Sequence, residues 1–467
     1  MASGINATAP AVDDVVLEVE KTPLYYELLD VMANCDKKSQ IAWVAIIHLD
    51  DAGTLYYPTQ VTDITLRRDY VDGFADEVCV TCSIPLGKFA RQVYPNRSHL
   101  QMTLQKWPIK ENSTEIDWDA VIETEKFSAT LIEEGPAVAQ IQGQETKDEY
   151  ALDLVSILEV RFQIFNKAVE RIRITTVGGI YRHVTVKNLM LTLMTDIATR
   201  IKVDNRRVIE GVDMIPTNNE SMYEQMVLTT GLRISDLPFY LQKRYGVYSA
   251  GLGAYIQNKH WYVYSLYDTN RFTKTLRTLT IYILPKRKYP EIERTYRVKK
   301  NSVSILCISN SDFRGDNEIS YTIQGNGVRF TEAENVMDGF GKSGGNKMIV
   351  SRKKNNNEFS AVIKEDGVNF APVTDRRITA NPFVHFTELA AKKGGILRLN
   401  WENSDPQLVE PGMVTRIVYF DDDVLKEAYA NVLGLVHMSV KVGDHQTKKH
   451  TQQSQIVLFT NLKKANQ

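Results

Sequence analysis

The sequence predicts a mainly β protein with an α+β middle domain, in which two antiparallel β-barrels flank the mixed unit. Three observations lead there. Apolar residues recur at every second position in the first third, which buries one face of a strand. They change to helical spacing near the middle. They return to a β-meander with polar turns at the end.

In the first third, Val78, Val80, Cys82 and Ile84 share one face of the segment Glu77–Ile84, and Leu100, Met102 and Leu104 share one face of His99–Gln105. AWVAIIHL, before the turn DDAG, and the pair Ile64/Leu66 add two more strands. LGKFARQVYPNR reads as a short helix stopped by Pro95 and placed to plug a barrel end. Asp117–Thr130 has no clear period and is left open.

The boundaries read as an arm over 1–21, a first barrel over 22–155, a mixed domain over 156–300 and a second barrel over 301–467. A long loop insertion lies near 325–380. In the mixed domain, Leu189, Leu193, Ile197 and Ile201 stand at helical spacing, widened by Met190 and Met194. DLPFYLQKRY forms a second helix between Ser235 as N-cap and Gly246 just past its end. A hairpin turning at Asn258-Lys259 follows. GILRLNW, MVTRIVYF, ANVLGLVHMSV and SQIVLFTNL are the strands of the last unit.

The chain has 467 residues, 43% of them hydrophobic and 24% charged, as in folded globular proteins of several domains. A net charge of -1 points neither to nucleic acid nor to an acidic solvating tail for the chain as a whole. Four scattered cysteines fit a reducing compartment better than a disulfide framework, and no stretch is apolar enough to span a membrane.

Three segments resemble baseplate or tail hub proteins of tailed bacteriophages, themselves related to the N-terminal hub part of VgrG spike proteins. Phe239–Asp268, a helix before a hairpin with an aromatic strand, resembles their middle domain. Phe165–Met190 resembles the start of that domain, and Leu408–Val440 the second barrel. The resemblance implies tube-protein-like barrels and a homotrimer that joins a six-fold tail tube to a three-fold central spike. It also implies tail tube or distal tail proteins and a spike protein as partners, a place in the virion tail, and no enzymatic activity. The barrels, roughly Thr22–Tyr150 and Asn301–Leu462, are then expected to share a fold. DNA contact is expected only by passage through the tube. The competing readings are a receptor- or carbohydrate-binding tail adhesin and a cell-wall hydrolase.

No constellation carries chemistry. Cys79 and Cys82 match C-x-x-C, but on a strand they point to opposite faces, and no further zinc ligands stand nearby. Gly339-Phe-Gly341-Lys-Ser-Gly344 lacks the strand and helix of a phosphate cradle, and Val336 stands where a P-loop needs glycine. Arg314-Gly315-Asp316 reads as a chance tripeptide in a polar turn, and His445 and His450 as part of a solvated hairpin tip. No catalytic residue, metal, cofactor or stable small-molecule ligand is expected. Two surfaces remain. Trp261, Tyr262, Tyr264 and Tyr267 lie on a strand apolar on both faces, which suits a central core strand or a subunit contact. Lys286, Arg287, Lys288, Arg294, Arg297, Lys299 and Lys300 form a local basic excess, which suits a negatively charged partner or DNA, or else a solvated linker broken by Pro285 and Pro290.

Overall fold

The computed structural model describes residues 22–132, 156–315 and 381–460 apart from short stretches, together with three strands between 327 and 363. In the first third, helix α1 (Pro23–Ala33) precedes strands β1 (Ile41–His48), β2 (Gln60–Asp69), β3 (Glu77–Pro85), β4 (Gln101–Pro108), β5 (Glu123–Leu131) and β6 (Ile157–Asn166). The expected alternation is present: Val80, Cys82, Ile84, Met102 and Leu104 are buried in one cluster with Val160, Phe162 and Ile164. Val93, from the helical run 86–96, is buried in the same cluster, and Phe89 of that run packs against it. The unassigned stretch before Thr130 contains β5.

The middle unit consists of α2 (Lys167–Ile174), β7 (Thr176–Thr185), α3 (Val186–Arg200), β8 (Gly211–Met214), β9 (Met222–Arg233), α4 (Leu237–Arg244), β10 (Leu252–Gln257) and β11 (His260–Ser265). The stripe on α3 buries Leu189, Met190, Met194 and Ile197. Asn258 and Lys259 both take positive φ, which suits the tight turn between the twisted strands β10 and β11. Gly246, at φ 82°, ends α4, and its N–H reaches the carbonyls of Leu241 and Gln242. Ser235 is not the cap. It lies inside a 3-10 turn, Ile234–Asp236, that already bends the chain into the helix.

The last unit adds β12 (Thr278–Leu284), β13 (Tyr296–Lys299), β14 (Ser302–Gly315), α5 (Pro382–Lys392), β15 (Gly395–Glu402), β16 (Val414–Asp421), β17 (Val424–Lys441) and β18 (His450–Thr460). Strand pairing closes two rings. The first runs β2-β3-β6-β5-β4-β1-β18-β17 and back to β2, with β1 and β18 meeting where Ile41 faces His450. The second runs β12-β16-β17-β18-β15-β14 and back to β12. Both rings use β17 and β18. Residues Val414–Asp421 of β16 pair with the first half of β17, and β2 pairs with its second half from Gly434. At 18 residues, β17 is about 60 Å long, which lets it serve both.

β6, at the expected start of the middle domain, pairs with β3 and β5 in the first ring, and β12 pairs with β14 and β16 in the second. Helix α1 packs its Leu28, Val31 and Met32 against Tyr282, Leu306 and Val418 of the second ring. Alternation shows which face a strand buries but not which strand lies beside it. The rings also differ in strand number, eight against six among the described residues.

Two turn readings are overturned. His450 is buried, with its ring nitrogens near the carbonyls of Lys448 and Val61, because it begins a strand shared by two neighbours. Arg314 and Gly315 pair with Ile396 and Gly395 in β14 rather than forming a turn. His445, Asp316 and the glycine-rich 339–344 lie outside the described residues.

Gly412 tests this packing. Its φ is 65°, and an added Cβ would stand 2.2 Å from the ring of Tyr264, itself fully buried. Gly412→Ala is expected to cost about 2–4 kcal/mol from the backbone and the clash together. Gly231→Ala, also at positive φ but with open space around it, should lose only about 1–2 kcal/mol. Denaturant midpoints check this, and equal losses would mean that Tyr264 is free to move.

Candidate functional site

The described residues hold one polar cluster that joins all three units. Along β2 the inward positions are Ile64, Leu66 and then Arg68, so period two places a guanidinium where a hydrophobe is due. The Arg68 side chain is fully buried and pairs with Asp76, just before β3, through Nε at 3.1 Å and Nη2 at 3.0 Å. Its Nη1 donates to the Pro406 carbonyl and Nη2 to Gln407, both in the connection leading to β16. Burial alone would lower the pKa of Arg68, but the Asp76 carboxylate outweighs it and raises the pKa.

The middle unit enters through tyrosines. Tyr255 of β10 donates to Asp76 at 3.0 Å, and Tyr264 of β11 donates to the Tyr70 carbonyl at 3.0 Å. Tyr70 donates to Gln257 at 2.9 Å, and Gln257 donates onward to the Val409 carbonyl at 2.8 Å. Burial raises the pKa of all three tyrosines, so each remains a protonated donor. Such a network ties residues of all three units together but offers no activated nucleophile.

Beside this joint, the lower end of the first ring is hollow, with a cavity of about 630 Å³. Trp43, Leu104, Phe127 and Ile164 line its wall, and Ile256–Lys259 and Pro406-Gln407 lie across its floor. Two titratable side chains on this lining are displaced in opposite senses. Burial, then Glu123, raises the Glu125 carboxyl to about 7, while burial, then Lys106 and Arg68, lowers His437 to about 3. His437 Nδ1 lies 2.9 Å from Ser454 Oγ, which contacts Ser404. This trio resembles a hydrolytic pair only in composition, because both serines are buried and so acidic an imidazole is a poor general base. Among the described residues no three potential metal ligands come together.

The expected surface residues divide. Trp261 and Tyr264 are wholly buried within the chain, Trp261 edge-on to Phe74. Tyr262 and Tyr267 are half-buried, Tyr267 against Phe459. In the basic window, Arg297 and Lys299 approach Asp30 of α1 at 2.6 and 3.5 Å, while Lys286 and Lys300 are exposed. Arg287, Lys288 and Arg294 lie outside the described residues. The joint itself was missed. Its signal was Arg68 in an apolar register.

No protein-family model matches the chain, and no curated protein matches it. Solved structures similar to it include the tail protein from Neisseria meningitidis MC58, at 11% identity over 90% of this chain and 96% of that one, with a TM-score of 0.44. The 43 kDa tail protein of prophage MuSo2 from Shewanella oneidensis is 10% identical over 89% and 98%, with a TM-score of 0.43. A Francisella PdpA-VgrG complex is 10% identical over 91% and 59%, with a TM-score of 0.39. Scores and identities at this level do not by themselves assign an activity.

Two predictions follow from the geometry. Arg68→Ala leaves Asp76 and two carbonyl-side partners without their cation and is expected to cost about 3–5 kcal/mol in chemical denaturation. Arg68→Lys should recover only part, because one ammonium cannot serve Asp76, Pro406 and Gln407 together.

The second concerns pH. Below the ordinary value of 6.5 the unfolded chain protonates His437 while the folded chain does not until about 3, so this group lowers stability as pH falls. Glu125 acts in the opposite direction. Between its ordinary 4.5 and about 7 the folded chain keeps a proton that the unfolded chain has lost, so stability falls as pH rises. Each contributes up to about 1.4 kcal/mol per pH unit, and they oppose one another between about pH 4.5 and 6.5. Relative to the parent, His437→Gln should tilt the stability curve toward acid and Glu125→Gln toward base. Parallel curves for all three would exclude both shifts.

Proposed function

We propose that this chain is a structural component of a phage-type tail, a hub of which three copies surround a central axis. The observation that carries the reading is the pair of closed strand rings built on two common strands. Three chains with two rings each offer six ring surfaces to a six-fold tube while keeping three-fold symmetry toward a spike. The resemblance of Phe239–Asp268, Phe165–Met190 and Leu408–Val440 to hub proteins supports the same reading. So does the joint around Arg68, which resists the hinge motion that would disturb such symmetry matching. The rings differ in strand number, so the six-fold match proposed is one of outline rather than of strand-for-strand identity.

In this assembly the exposed Lys286 and Lys300 are proposed to face an acidic partner surface or passing DNA, and the half-buried Tyr262 and Tyr267 a neighbouring subunit. The role is non-enzymatic, with tube or distal tail proteins and a spike as partners in the virion tail. Native mass measurement, alone and with tube or spike protein, is expected to give a homotrimer in at least one condition. Monomers or even-numbered oligomers throughout would overturn the hub.

A further inference from the structure

An eight-stranded ring is wide enough either to be filled by its own side chains or to hold one small ligand. The first ring does both. Its upper part is packed solid by Ile47, Val80, Met102 and Phe162 beneath the 86–96 plug. Its lower part is the hollow of about 630 Å³, within the usual range of about 300–1,000 Å³ for small-molecule sites. The hollow lies where the ring meets the other two units, a common position for such sites.

Its polar groups are unevenly satisfied. Lys259 pairs with Glu210 at 3.1 Å, and Asp76 is engaged by Arg68 and Tyr255. Lys106 lies over the Trp43 ring at 5.7 Å and faces Glu123 across β4 and β5. Glu125 is on the inward face of β5, opposite Leu104 and one inward step from Phe127. Its Oε1 accepts a hydrogen bond from Asn166 at 2.6 Å, and Oε2 has no hydrogen-bond partner among the described residues. A carboxylate in a mostly apolar hollow, half satisfied and with a second carboxylate beside it, is matched by a cation carrying an apolar body.

We propose that the hollow of the first ring is a binding site for a small organic ammonium compound, with its apolar body against Trp43, Leu104, Phe127 and Ile164 and its charged head on Glu125. This departs from the expectation of no stable ligand and stands independently of the hub reading. The charged groups around Glu125 are Glu123 on its own strand, Lys106 on β4, Asp76 before β3, and Glu210 and Lys259 at the floor. His437, across the ring, remains neutral above about pH 3. Affinity therefore rises as pH increases through about 7 and Glu125 ionises.

The test is calorimetric titration of the intact protein with cyclohexylammonium, and with cyclohexanol and cyclohexanecarboxylate as matched neutral and anionic probes. One saturable cyclohexylammonium site per chain is expected, at least tenfold tighter at pH 8 than at pH 6 and at least tenfold tighter than either control. Glu125→Gln, which keeps the Asn166 contact, is expected to lose at least tenfold in affinity while retaining the parent circular dichroism. The pH comparison uses the unaltered protein and does not depend on the variant folding. No saturable binding, equal binding of the neutral probe, or an affinity independent of pH and of Glu125 would each overturn the site. A protein that stays monomeric alone and with tube or spike protein, yet binds the ammonium probe, would overturn the hub and leave the site intact.

Discussion

Everything in this molecule depends on one crossing, where β17 leaves one ring and joins the other. The pairing register slips between Val432 and Gly434, leaving Leu433 as an extra residue whose carbonyl accepts the Tyr70 N–H at 2.9 Å. A bulge of this kind bends and twists a strand, as a change of ring requires. The backbones come so close there that a Cβ on Gly434 would stand 2.7 Å from the Arg68 carbonyl oxygen. The residue whose carbonyl touches the crossing also sends its side chain into the joint. Backbone approach and buried ion pair are therefore two faces of one constraint.

A buried ion pair is weak grounds for stability, since removing two charges from water offsets most of their attraction. Its effect here is better described as selection among arrangements. Arg68 is satisfied only when the β2 end, Asp76, and the Pro406-Gln407 connection are all in place, and Tyr255 adds the middle unit to the same carboxylate. A slipped register would leave a buried guanidinium without acceptors, which costs several kcal/mol. The joint thus penalises wrong arrangements of the chain more than it rewards the right one.

Much of the fold was legible because period two survives any choice of partner. Val80, Cys82 and Ile84 had to share a buried face whichever strands lay beside them, and α3 had to bury Leu189, Met194 and Ile197. Pairing was not legible. Nothing local to Ile157–Asn166 says that it lies between β3 and β5, and nothing local to Val424–Lys441 says that two rings divide it. The aromatic strand shows the same limit. Bulky residues on both faces announced double coverage, but only the tertiary fold shows that Trp261 is covered by Phe74 and Tyr264 by the glycine-lined wall. Arg68 and Glu125 were legible in principle, each a charge in an inward register. A charge in an apolar period is a local conflict, and such conflicts concentrate where a structure does more than fold.

The hollow carries that argument further. The hollow of about 630 Å³ is open in part to solvent, so the lower ring is filled by water or by something that replaces it. The lining decides between those occupants. Trp43, Leu104, Phe127 and Ile164 offer water no hydrogen-bond partner, so it gathers at the polar part of the lining, which includes Glu125, Lys106, Asn166, Gln257 and Gln407. An amphiphile that covers the apolar wall and returns a charge to Glu125 releases poorly held water and gives the Glu125 Oε2 a partner.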